Sequence, residues 1–475
     1  MSKNNASTVR ESMAFFELTE AEMRAMLMRL LSHGADYADI FCEHTTTESV
    51  YLQNHIVSGA CRNIDFGVGL RAVGGDRTGY AYCEKIDHKL LLQAADTAAR
   101  IAAGKVCCGV APFAAINVPN RYPVVLPLDE IRMQTCKHLL EYADRYAAAL
   151  DKRIVRLRVN LVCKTTRVLF VNNLGQAYTD LRPLFNFAVT CSMEHGGQSA
   201  VASASRSFRA DAAGITEALA EVVVREAVEH TARQFGAGQP RGGEMSVVMA
   251  SGSSGIFLHE SIGHAFEADF NRRGMSVFSG RMGQRICSDA ISVIDDGTLL
   301  GNRGAVNIDD EGVPGQCTTL VERGVLRSYL HDRISARHYG VSPTGNGRRE
   351  SFRYPPLPRM RATYMHSGTH KPNELIEAVK HGIYVDTFTN GQVKIGIGDF
   401  TFYAKTGYMI ENGRLTRPVK DINIIGNGPQ ALADISMVAD NYIMDNSGWM
   451  CGKDGQSCPV ACGMPGILIS KIIVG

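Results

Sequence analysis

His259-Glu260-Ser261-Ile262-Gly263-His264, entered through the apolar run Ile256-Phe257-Leu258, is the stretch on which the reading of this chain turns. Two imidazoles flank a carboxylate. Neutral imidazole is a good zinc ligand, and a glutamate beside such a site is the usual base for metal-assisted hydrolysis. Metal-binding histidines on a regular helix stand four residues apart, which puts both on one face. Here the spacing is five, and on a regular α-helix the two rings would diverge by about 140°. They converge on one ion only if the turn holds an extra residue, as in a π-bulge, or if the helix breaks at Gly263. With 14 histidines in 475 residues, such a pair followed directly by Glu is expected by chance only about 0.02 times per chain. The plain alternative is a helix N-terminus carrying surface histidines and a solvated glutamate.

Working outward, Met245–Met249 reads as a buried strand that runs through Ser251-Gly252-Ser253-Ser254-Gly255 into the metal helix. That order resembles a phosphate loop, but no Gly-Lys-Ser/Thr follows, so it is rejected. Glu267 and Asp269 are candidates for carboxylates that accept an imidazole N–H, with ordinary surface charge as the alternative. Beyond them the chain is mostly strands and loops: Ile291–Ile294, Val325–Leu330, Val393–Ile397, Phe400–Ile410, Asn423–Ile425 and Ile467–Ile473, with a helix at Glu374–Lys380. Arg348 and Arg349, in Gly345–Ser351, suit either a peptide carboxylate or the tying down of a long loop.

Before the glycine-rich boundary Gly236–Gly243, helices alternate with strands. Glu17–Ser32, Asp87–Ala103, Leu128–Leu150 and Thr216–Arg233 have helical apolar spacing, and Thr19 with Glu22 forms a capping-box pattern. Ala38–Glu43, Val50–Leu52, Gly67–Val73, Arg156–Cys163, Val168–Val171 and Phe185–Met193 read as strands, with a hairpin at Gly74-Gly75 and a turn at Asn172–Gly175. Gly67-x-Gly69 sits inside a strand-like run with no helix behind it, so a bulge or turn is expected there rather than a dinucleotide loop. Pro112–Pro127 is an irregular connection.

The balance of 50 basic and 48 acidic residues leaves a formal charge of +2. That gives no electrostatic footprint for nucleic acid. No apolar run reaches membrane-span length, and the polar start Ser2–Val9 lacks a signal peptide's apolar core. Thirteen cysteines, an odd number without framework spacing, point to a reducing, cytoplasmic setting.

Several blocks carry a resemblance. They are HESIGHAFEADFNRRGMSVFSGRMG (His259–Gly283), IDDEGVPGQ (Ile308–Gln316), SPTGNGRRES (Ser342–Ser351), CGKDGQSCPVACGMP (Cys451–Pro465) and NIDFGVGLRAVGGDRTGYAY (Asn63–Tyr82). Together they resemble the TldD/PmbA family of bacterial metallopeptidases, in its metal-bearing TldD branch. The resemblance covers nearly the whole chain from about Ala35, strongly in the second half and thinly between Cys107 and Glu244.

It implies an α+β, two-domain architecture, with a mixed helix–sheet N-terminal half and a strand-rich C-terminal half carrying the metal helix. The expected division is 1–35 as N-terminal helix and tail, 36–240 as an α/β region, and 241–475 as the metallopeptidase domain. Within the α/β region, 36–110 and 128–240 are joined by the proline-rich connection. His259 and His264 match the family's histidine ligands, Glu260 its catalytic glutamate and Cys451 a third, thiolate ligand. That leaves a fourth position for water, as catalytic zinc requires. Cys458 and Cys462 depart from the pattern, standing where apolar residues are expected.

The expected activity is zinc-dependent hydrolysis of unfolded or extended peptides, bound through a strand edge. The expected partner is a metal-free homologous subunit in a heterodimer, with a homo-oligomer as the fallback. The competing function class is a non-catalytic binding or scaffold subunit, and the intact His-Glu-His set with Cys451 separates the two in favour of catalysis.

Overall fold

The computed structural model of the protein describes residues 5–475, with side chains from Thr8 onward. Residues 1–4, and with them part of the polar start and of the 1–35 segment, lie outside the described residues. No described helix is long and apolar enough to cross a membrane.

The N-terminal half is built on one seven-stranded sheet of strands β1 (Tyr37–Gln53), β2 (Ile56–Gly74), β3 (Arg77–Cys83), β4 (Ala114–Ala115), β5 (Ile154–Asn172), β6 (Gln176–His195) and β7 (Gln198–Phe208). The order is β3-β2-β1-β5-β6-β4, with β7 also on β6. Strands from both 36–110 and 128–240 therefore share a single sheet, through the β1–β5 pairing. Side chains alternate between faces. Ile40, Cys42, Val50 and Leu52 of β1 lie on the face covered by helices, with Glu20–Leu31 and His88–Ile101 at one end and Met133–Leu150 and Glu217–Ala232 at the other. Phe41, Val168 and Phe170 point the other way, onto Ile308 and Phe352 of the C-terminal half.

Two expected pairs of short strands prove to be single long ones. The polar runs between them, His44–Ser49 and Lys164–Arg167, stay in register. At the centre of these runs hydroxyls meet within the sheet: Thr45 Oγ1 donates to Glu43 Oε1 at 2.7 Å and meets Thr166 Oγ1 at 2.9 Å, while Thr165 Oγ1 is buried with no partner among the described residues. β-Branched threonine then fits a strand as well as valine does. Gly67 and Gly69 form neither a bulge nor a turn, but sit in regular register opposite Glu43 and Phe41. A Cβ on Gly67 would lie 2.2 Å from the Phe352 ring, and one on Gly69 2.1 Å from the Tyr80 hydroxyl. These glycines let the C-terminal half approach.

The C-terminal half holds two six-stranded sheets. One runs Arg414–Asn427, Asp399–Glu411, His381–Lys394, β8 (Gly243–Met249), Ile467–Val474, Ile435–Val438. The other is centred on Val293–Asp296, Ala362–Met365 and Ala461–Met464. Phe257, Leu258, Ile262 and Phe266, from the segment that carries His259 and His264, fill the core between them, against Phe400, Phe402, Val293 and Met464. Each such burial is worth about 1.5–3 kcal/mol.

The expected strand Val325–Leu330 keeps only Val325–Leu326. Leu330 instead donates its N–H to Phe266 O and accepts from Ala268 N–H, so that backbone is spent on the segment that follows His264. Val393–Ile397 ends at Lys394, where Gly398 N–H closes a turn onto Lys394 O. The helix expected at Glu374–Lys380 spans Pro372–Glu377.

Candidate metal centre

The approach to the site is set by β8, which pairs in parallel with His381–Lys394 and ends at Met249. The Ser251–Gly255 loop, with Gly252 at φ 85, then turns the chain into a short helix, Gly255–Leu258. Gly255 is required by contact: its Cβ would lie 2.7 Å from Gly463 N and 2.8 Å from Cys462 C.

His259–Gly263 forms a π-helical turn, closed by the His264 N–H donating to His259 O. That i→i+5 bond is the irregularity the five-residue spacing demands, and it brings the second imidazole round to the first. The ring centroids are 5.0 Å apart at 80°. Gly263 lies against Met360, whose Sδ would be 2.3 Å from an added Cβ. Both histidines are buried.

The third donor arrives from a hairpin far along the chain, Met450–Lys453 paired with Gln456–Pro459 around Asp454-Gly455. Both turn residues have positive φ (49 and 73), the conformation that tight hairpins favour. Cys451 Sγ lies 3.4 Å from His264 Nε2. The donor atoms of His259, His264 and Cys451 all fall within 4.8 Å of one another.

These donors fit zinc. A nitrogen at about 2.05 Å and a sulfur at about 2.3 Å from one tetrahedral ion stand about 3.5 Å apart. The set is also borderline-soft, two imidazoles and one thiolate. Glu260 sits beside it, its Oε2 4.0 Å from His264 Nε2, with 18% of its side chain exposed.

The other two thiols are placed differently. Cys458 is opposite Cys451 in the hairpin, but its Sγ takes a contact from Arg359 Nη1 at 3.4 Å. Cys462 lies in a strand between Thr363 and Asp445. Burial pushes both thiols up. Burial would raise the Cys451 thiol as well, but His259 and His264 more than offset it and hold it well below the ordinary thiol range.

Around the donors, His264 Nδ1 lies 3.0 Å from Glu267 Oε2, a distance at which the ring N–H donates to the carboxylate. Burial opposes the charge on Glu267, yet Lys453, His264 and Arg359 hold its carboxyl down at about 2. Asp269 touches neither imidazole and pairs with Lys453 Nζ at 2.7 Å; burial pushes its carboxyl up. Of the two expected carboxylates, only Glu267 reaches a histidine.

Arg348 donates to Met360 O and to Pro459 O, at 2.5 and 2.7 Å. Arg349 donates to Asp310 O and to the Tyr80 hydroxyl, at 2.9 and 3.2 Å. Both arginines tie the loop down. Lys453 and Arg359, which donates to Cys451 O, escaped the sequence reading. Lys453 had one available signal, since it stands two residues after Cys451 and shares its strand face.

A cavity of about 1110 Å³ lies between β7 and the C-terminal half, lined by none of the three donors and not by Glu260. Its wall includes Trp449, two residues before Cys451, and Thr389, two residues before Gly391. A Cβ on Gly391 would lie 3.2 Å from Glu260 Cγ.

Comparisons with known proteins place the whole chain in one family. Residues 38–102 match the PmbA/TldA metallopeptidase domain 1, residues 126–235 the central domain and residues 242–475 the C-terminal domain. The "Metalloprotease TldD homolog" of Haemophilus influenzae is 38% identical over 454 residues, covering 94% of each chain. The "Zinc metalloprotease TldD homolog" of Saccharolobus solfataricus is 36% identical over 237 residues, 50% of this chain and 52% of that one. In fold, the crystal structure of TldE from Thermococcus kodakarensis superposes with a TM-score of 0.73 at 17% identity, over 96% of this chain and all of that one (100%). With three family domains in order and a relative matched along almost its whole length, the chain belongs to the PmbA/TldA metallopeptidase family.

Proposed function

We propose that this chain is a zinc-dependent peptidase that cleaves unfolded or extended peptides, with His259, His264 and Cys451 holding the zinc and Glu260 acting as general base. The observation that carries the reading is the convergence of three buried donors within 4.8 Å, with Glu260 partly open beside them. The name of the Saccharolobus relative adds support for zinc in particular.

Bound there, zinc supplies Lewis acidity, polarising a carbonyl and acidifying a water. On its carboxylate, Glu260 would take the proton of the attacking water and later hand it to the leaving amine. Glu267 holds the His264 ring through Nδ1 and so keeps Nε2 turned toward the donors. Peptide enters through the cavity of about 1110 Å³. The outer edge of β7 carries no strand partner among the described residues and lines that cavity through Val201–Arg206. An extended chain can pair its backbone there, with little regard to its own side chains, by displacing the Gln234 and Arg206 side chains that now donate to Val201 O and Ser205 O. The working assembly is a heterodimer with a metal-free homologue of the same fold, or a homo-oligomer. The free thiols of all thirteen cysteines suit a cytoplasmic setting.

Glu260→Gln tests the chemistry. Gln keeps the shape but accepts no proton, so metal content and folding are expected to be unchanged. Cleavage of unstructured peptides, assayed with the partner subunit present, is expected to fall about 10²–10⁴-fold, roughly 3–5 kcal/mol of barrier. A fully metallated Glu260→Gln chain that cleaves at the normal rate would move the base elsewhere. A wild-type chain that neither binds metal nor cleaves would return the non-catalytic scaffold reading.

A further inference from the structure

The hairpin that delivers Cys451 delivers a second group to the same histidine. Lys453 stands two residues on in the same strand, so both side chains leave on one face. Cys451 Sγ meets His264 at Nε2, at 3.4 Å. Lys453 reaches the opposite ring nitrogen through a carboxylate: its Nζ is 3.1 Å from Glu267 Oε2, the oxygen that lies 3.0 Å from His264 Nδ1. The remaining hydrogens of the ammonium go to Asp269 Oδ1 at 2.7 Å and Pro358 O at 3.0 Å. All three donors of the ammonium are thereby used. Nζ also lies 4.3 Å from the centre of the Phe270 ring.

This ammonium is buried, as are Glu267 and Asp269. Burying charge for packing alone is unfavourable, and an apolar side chain of similar length would fill the space at lower cost. The geometry points to another role. We propose that Lys453 is a positioning residue of the metal centre: it fixes Glu267 Oε2, which fixes the His264 ring, so one hairpin sets that ligand from both sides. The proposal rests on reading His264 and Cys451 as ligands. Glu267 Oε1 has no hydrogen-bond partner among the described residues. Without Lys453, the carboxylate would keep only the imidazole and would be free to turn with it. Loss of an outer partner of this kind typically weakens metal binding about 10–100-fold. A purely structural ion pair would instead lower stability and leave metal retention alone.

The test uses the full-length chain loaded with zinc, and reads the rate of zinc transfer to a chromogenic chelator alongside the melting temperature of each metal-free form. Lys453→Met is expected to release zinc about 10–100-fold faster than wild type, and Glu267→Gln to do the same. The double variant should be no worse than either single one, because both act through one contact. Lys453→Arg, which keeps a long cation, should recover part of the loss. Normal zinc retention by Lys453→Met, with only a lowered melting temperature, overturns the positioning role. So does a double variant whose losses multiply. If Lys453→Met does not fold, Glu267→Gln and Lys453→Arg carry the test, and normal retention by Glu267→Gln overturns it. A wild-type chain that takes up no zinc, or a His264→Ala chain that keeps it, overturns the ligand reading itself. That failure shows before any Lys453 variant is compared.

Discussion

At the scale of single residues, the question raised by three neighbouring thiols has a geometric answer. Cys451 Sγ lies against His264 and Cys458 Sγ against Arg359, while Cys462 packs against Gly255 and is not one of the three clustered donors. Cys451→Ser is therefore expected to lose tightly bound metal, and Cys458→Ser to keep it. Metal content after gel filtration checks this, and the reverse pattern would transfer the ligand role to Cys458. His331 gives a second, independent prediction. It is buried among Tyr329 and Tyr339, and burial pushes its imidazole down to about 4 from an ordinary 6.5. Between those values the unfolded chain binds a proton that the folded one refuses, so this contribution to stability is lost as pH falls through the window. The loss reaches roughly 2–3 kcal/mol near pH 4. Burial raises Asp332 to about 6 and Asp309 to about 7, giving slopes of opposite sign. The informative quantity is thus the difference between wild type and His331→Phe, which keeps the ring but not the titration. If the two stability curves run parallel from pH 7 to pH 4, the assignment fails.

At the scale of elements, the π-helical turn is the feature on which the site depends, and two glycines admit its neighbours. Gly255 faces backbone, Gly463 N and Cys462 C, which cannot move without shifting a strand. Gly263 faces the end of a flexible methionine, and alanine is the better helix former. Gly255→Ala is accordingly expected to cost about 1–3 kcal/mol and to weaken metal binding, whereas Gly263→Ala should change stability by less than about 1 kcal/mol. Denaturant midpoints for the two variants decide this, and the opposite ranking would show that the turn is not held as described. The helices were legible from spacing and caps: the Thr19 and Glu22 capping box is present and starts its helix at Glu20. The long strands were less so. Their polar centres look like loops until cross-strand partners such as Thr45 and Thr166 are brought together.

At the scale of the molecule, the N-terminal sheet is fastened to the C-terminal half by buried charge. Arg71 pairs with Asp39 within the sheet and with Glu311 across the junction, at 2.6 Å in the second case, and all three are almost wholly shielded from solvent. Arg182 makes the same kind of crossing to Asp310, also at 2.6 Å. Removing one partner leaves uncompensated buried charge, so Arg71→Met is expected to cost about 3–5 kcal/mol. A thermal or denaturant midpoint measures the loss, and adding Asp39→Asn should recover part of it. A midpoint unchanged by Arg71→Met would mean that the Arg71 pairs contribute nothing to holding the junction.

The sequence by itself determined which neighbouring residues form the candidate site and its local distortion. His259, Glu260 and His264 are neighbours along the chain, and their five-residue spacing admits a shared ion only through an irregular turn, which is a matter of local geometry. Family blocks in order added Cys451 and the mixed α and β architecture. Only the tertiary structure decided which carboxylate serves His264, that Arg348 and Arg349 bind loop backbone, and that Gly67 and Gly69 make room for another part of the chain. It also decided the place of Lys453. Each of these depends on side chains meeting atoms of other elements, or on which of two nearby buried carboxylates the packing turns toward His264. Neither is written in residue spacing.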